Sequence, residues 1–181
     1  MVLLILGVAL WWAAHSFKRI APGARANLGD PGKGLVALLV VASVVLMVIG
    51  YRGAAFIPVW SPPAFLTHVN NALMVIAFYV YGVGAAKGTL AARIRHPQLT
   101  AFKTWAVAHL LVNGDLASVL LFGGLLAWAV VTVIFINRSE PWVRPAEVSI
   151  KGEVKALVIG VVIMAVVAGI HAWLGVNPFG G

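Results

Sequence analysis

The chain has 181 residues, 62% of them hydrophobic and only 10% charged, with no cysteine and a formal net charge of +8. Soluble domains carry about 25% charged residues, and a fold of this size has no interior able to hide so much apolar surface, so lipid must be part of its solvent. The missing cysteine excludes disulfides, thiolate metal sites, iron–sulfur clusters and a cysteine nucleophile, and the positive charge sits in connections between apolar runs, which points to membrane topology and away from nucleic acid.

The first apolar run, Met1–Ala14, precedes Lys18 and Arg19. A cleavable signal has its charges first, so this order predicts a first transmembrane helix over Val2–Phe17, with its N-terminus outside. Further spans are predicted at Gly34–Tyr51, Thr67–Ala86, Gln98–Val112, Leu116–Ile136 and Val154–Trp173. The fourth is the shortest. Asn113-Gly114-Asp115 breaks it from the fifth, giving a tight helical hairpin in which Asp115, with Asn113, caps the fifth helix through its side chain. The expected fold is all-α: a polytopic membrane bundle of about six helices forming a single domain over residues 1–181.

The connections carry the orientation signal. The first holds Lys18, Arg19, Arg25 and Lys33. The third holds Lys87, Arg93 and Arg95, with Lys103 just inside the fourth helix, and the fifth holds Arg138, Arg144, Lys151 and Lys155. Arg52 stands alone opposite, so 12 of the 13 basic residues fall on one side. The positive-inside rule makes that side the cytoplasm. The expected location is a bacterial inner membrane, crossed several times, with both termini periplasmic. The second connection carries Phe56, Pro58, Trp60, Pro62, Pro63 and Phe65 and reads as an interfacial cap at headgroup level, an aromatic belt more than a substrate portal.

Five histidines carry most of the chemical information: His15, His68, His96, His109 and His171. Ionisable groups inside a span are costly and face the bundle interior or a site. In a small cysteine-free bundle, neutral imidazoles can ligate haem iron or another transition metal, or hydrogen-bond between helices. By three- and four-residue spacing, His109 shares a face with Phe102, Trp105, Val112 and Asn113, which suits a flat porphyrin or plain packing. His15 has Trp11 and Trp12 stacked one turn before it and Arg19 one turn after, so a haem propionate could meet Arg19; an interfacial histidine beside snorkelling cations is the plainer reading of this spacing. Arg95-His96-Pro97 opens the fourth helix, and with that helix N-terminus it forms an anion-attracting corner. His68 and His171 lie toward the outer face, as a second site or as interhelical hydrogen-bonding groups. Paired carboxylates, a Ser–His–Asp set, a phosphate-binding glycine loop and a metalloprotease helix are all missing.

Arg95-His96-Pro97-Gln98, the block Trp105-Ala106-Val107-Ala108-His109-Leu110-Leu111-Val112-Asn113-Gly114-Asp115-Leu116-Ala117-Ser118, His15-Ser16 and His171-Ala172-Trp173-Leu174-Gly175-Val176-Asn177-Pro178 together resemble the NnrU family across nearly the whole chain. The resemblance implies a membrane protein linked to denitrification and nitric oxide metabolism. It also implies a haem b cofactor, because the family is similar to plant zeta-carotene isomerase, a haem-dependent enzyme. Matched by motif, the proposed iron ligands of that enzyme fall on His15 and His109. The implied activity is that of a haem-dependent isomerase or a redox sensor, with the departure that the isomerase's cysteine three residues before the second ligand is Ala106 here. The implied partners are lipid, a hydrophobic small molecule or nitrogen oxide, and a reductase complex. The Arg-His-Pro element is also similar to membrane methyltransferases of the isoprenylcysteine carboxyl type, where it helps bind S-adenosylmethionine. A third reading is a non-catalytic assembly factor for a reductase. At 1.5 Å per residue, His15 and His109 differ in depth by about 15 Å across a core of about 30 Å. His15 with His96, and His109 with His68 or His171, are the level pairs.

Overall fold

The computed structural model describes residues 1–86 and 88–179. Lys87, counted above among the cations of the third connection, lies outside the described residues. The chain is 76% helix, and no strand occurs among the described residues. In chain order the helices are α1 (Val2–Ile20), α2 (Pro22–Asn27), α3 (Pro31–Arg52), α4 (Leu66–Ala86), α5 (Pro97–Val112), α6 (Leu116–Ser139) and α7 (Ile150–Trp173). Proline occupies the first turn of α2, α3 and α5, where its missing N–H costs nothing. The six predicted spans all form as helices, each extended by one to four residues at one or both ends.

Five of them, α1, α3, α4, α6 and α7, are long and apolar enough to cross a membrane. The chain is therefore a multi-pass membrane protein. The predicted fourth span is α5, whose 16 residues reach only about 24 Å at helical rise. That is short of the roughly 20 residues a span needs. Large apolar side chains such as Leu38 (65% exposed) and Val41 (60% exposed) on α3 face outward, as lipid contact requires.

The chain separates into two compact units, one formed by Met1–Trp60 with Gly114–Trp128 and the other by Ser61–Asn113 with Ala129–Gly181. In the first unit, α1 packs against α3 through glycines. A Cβ on Gly50 would run into the backbone of Leu3 and Leu4, and one on Gly7 would lie 2.7 Å from the Met47 side chain. Small residues let backbones approach where no hydrophobic effect drives helices together. In the second unit, α4 packs against both α5 and α7. A Cβ on Gly160 would sit 2.8 Å from the Phe78 carbonyl oxygen, and one on Gly82 would strike that of Ala156.

The aromatic connection after α3 is held by backbone hydrogen bonds to the hairpin break. Val59 and Trp60 N–H both donate to the Gly114 carbonyl, and Leu116 N–H donates to that of Ile57. As expected, Asp115 caps α6, accepting from Ser118 N–H at 3.0 Å. Asn113 serves the other helix: its Nδ2 donates to the His109 carbonyl at 2.8 Å, closing the end of α5.

Candidate functional site

Three histidines share one local arrangement. His15 Nδ1 lies 3.0 Å from the Trp11 carbonyl, His109 Nδ1 lies 3.0 Å from that of Trp105, and His171 Nδ1 lies 2.8 Å from that of Val167. Helical side chains lean back over the preceding turn, so an imidazole reaches the carbonyl four residues earlier. A carbonyl only accepts, so Nδ1 carries the proton and Nε2 keeps its lone pair. Metal-ligating histidines usually donate the other ring N–H in this way, which fixes tautomer and ring orientation. All three are half-buried.

The surroundings of the three differ. In the first unit His15 is flanked by two indoles: Trp11 with ring centroids 4.0 Å apart and Trp128 at 4.8 Å, edge-on. Trp12, expected to stack here, instead donates Nε1 to the Gly124 carbonyl at 3.0 Å, beside a π turn in α6 at Val119–Gly123. Arg19 is exposed in the last turn of α1. In the second unit His109 packs on Trp105 at 5.1 Å, and Trp105 packs on Phe102 at 5.1 Å, so the aromatic face read from spacing is real. His171, from α7, lies within electrostatic range of His109. His68 is exposed in the first turn of α4.

Arg95 and His96 turn to a helix end. Arg95 Nη2 donates to the carbonyls of Ile136 and Glu140, and His96 Nε2 lies 2.9 Å from Asn137 Oδ1. A guanidinium at the carbonyls of a helix C-terminus complements the dipole, here sharing the Ile136 oxygen with the Glu140 N–H. The pair therefore anchors the end of α6.

Three features escaped the sequence reading. Trp128 approaches His15 from a distant part of the chain. Tyr51 Oη lies 2.8 Å from Ser118 Oγ, which in turn donates to Asp115 Oδ2, so a fully buried serine links α3 to the cap of α6. Glu153 accepts from Tyr79 Oη at 2.7 Å and from Thr89 Oγ1 and Leu90 N–H, each at 2.6 Å, tying α7 to the turn before α5. Tyrosine and serine in apolar runs carry no local signal of such partners.

Among the described residues, no three His, Asp or Glu side chains converge on a possible metal position. A porphyrin supplies four nitrogens itself and asks the protein for only one or two axial ligands. His15 and His109, each an imidazole packed on an indole with Nδ1 turned to a backbone carbonyl, fit that demand.

Comparison with known families matches residues 3–178 to the NnrU family, described as NnrU protein. The chain belongs to the NnrU family. The match runs from α1 past α7, so this NnrU protein carries the family sequence over nearly its whole length. Comparison with curated proteins and with solved structures returns no match.

Proposed function

We propose that this NnrU protein binds haem b within the membrane, and that His15 in the first unit and His109 in the second are the residues that would ligate haem iron. What supports the reading is the shared Nδ1 bond to the carbonyl four residues back, joined to the indoles packed on each ring. His171 carries the same bond and stands as the alternative ligand in the second unit. The haem would supply a redox-active, Lewis-acidic iron. The chain's own part is to hold imidazoles in one tautomer, stack aromatic surface beside them and exclude water. The family resemblance gives the context: nitrogen oxide metabolism in a bacterial inner membrane, with sensing of nitric oxide or redox state, electron donation, or haem-dependent isomerisation of a hydrophobic substrate as the possible uses. Both termini are assigned to the periplasmic side.

The methyltransferase reading is weakened by the engagement of Arg95 Nη2 and His96 Nε2 with the end of α6, which leaves fewer donors for a cofactor anion and gives both residues a structural role. The absorption spectrum of the detergent-purified chain, expressed with ample haem, tests the proposal. A Soret band and a haem b pyridine haemochrome are expected. A colourless protein that is fully helical would overturn the proposal.

A further inference from the structure

We propose that the α1–α3 end of the first unit binds the phosphate of an anionic phospholipid headgroup. A cavity of about 330 Å³ there is lined by Ala14, His15, Lys18, Arg25, Lys33 and Val36. Its three cations come from three separate helices: Lys18 from the last turn of α1, Arg25 from α2 and Lys33 from the first turn of α3. The only carboxylate nearby in sequence is Asp30, paired with Lys33 at 2.7 Å, and both groups are largely exposed (89% and 76%). An exposed pair of this kind is weak and is readily exchanged for a better anion. The next acidic residue along the chain is Asp115.

The arginine is held in place. Its Nη1 donates to the Gly29 carbonyl at 3.1 Å, and the guanidinium lies across Gly32, where a Cβ would sit 2.7 Å from Nη1. Guanidinium has five N–H donors, so most remain for a ligand, and a preset cation loses little freedom on binding. Lys33 stands at the positive end of the α3 dipole, where the exposed N-cap Asp30 is its present partner and where the dipole favours any anion set between the cations. The cavity lies where two membrane-crossing helices end. Basic pockets between such helices take phosphate headgroups, and Ala14 and Val36 supply apolar wall for the glycerol and first acyl carbons. The phosphate contacts belong to the three cations, so the inference does not depend on haem.

Native mass spectrometry of the full chain, released from mixed phosphatidylcholine and phosphatidylglycerol nanodiscs, reads the retained lipid. Wild type should retain phosphatidylglycerol several-fold over its share of the mixture. Combined Lys18→Gln, Arg25→Gln and Lys33→Gln should abolish the preference. A control with the same charge change elsewhere, Arg138→Gln, Arg144→Gln and Lys151→Gln, should keep it. Gly32→Ala, which displaces the guanidinium without changing charge, should reduce it and guards against misfolding of the triple variant. No preference in wild type, or equal loss in both triple variants, overturns the site. Loss of the preference on adding inorganic phosphate at physiological concentration makes free phosphate the ligand and overturns the lipid assignment.

Discussion

An imidazole tied to the carbonyl one turn back recurs at His15, His109 and His171. The distribution is informative because His68 and His96, at helix starts, lack a preceding helical turn and cannot make this bond. What the sequence revealed at residue scale is therefore what lies within one helical turn: Trp11 beside His15 and Trp105 beside His109 follow from four-residue spacing. Contacts such as Trp128 on His15 need the packing of separate helices, which no local pattern encodes. Arg95 shows the reverse limit. Its place at a helix start predicts an anion, yet the carbonyls of a distant helix end offer equivalent acceptors. The buried chain from Tyr51 through Ser118 to Asp115 carries its own prediction. Ser118 is fully buried, so Ser118→Ala leaves the Tyr51 hydroxyl and one carboxylate oxygen unsatisfied and should cost about 1–3 kcal/mol. Thermal unfolding in detergent would measure this; an unchanged midpoint would remove the network from the account.

At the scale of elements, hydropathy placed the helices well, because an apolar run bounded by Pro, Gly and charge has no other stable state in lipid. It did not reveal α2, six residues long and without an apolar face, or the π turn in α6, which depends on what packs beside it. Nor did it fix the status of α5, a true helix too short to count with the five long ones. The close helix contacts rest on glycine. Gly82→Leu would push a side chain into the backbone of Ala156 and should separate α4 from α7, a penalty beyond the roughly 1–3 kcal/mol of ordinary overpacking. Size-exclusion chromatography should show loss of the monodisperse species, whereas Gly123→Leu, with open space around it, should not.

For the molecule as a whole, composition alone dictated membrane residence, and five apolar helices with exposed faces agree. Orientation is a separate matter. It follows from basic residues flanking the spans and requires α5 to count as a crossing. Single cysteines introduced into this cysteine-free chain test it cleanly. Those at positions 28 and 146 should resist a membrane-impermeant reagent added outside the cell, and one at position 56 should react; the opposite pattern reverses the orientation.

The central claim, that Nε2 of these imidazoles reaches iron, is tested most directly by cavity rescue. His15→Gly and His109→Gly proteins loaded with haem should each show an altered Soret band that returns toward the wild-type spectrum when free imidazole is added. A wild-type spectrum in both variants without imidazole would contradict the account and leave the two histidines as packing groups.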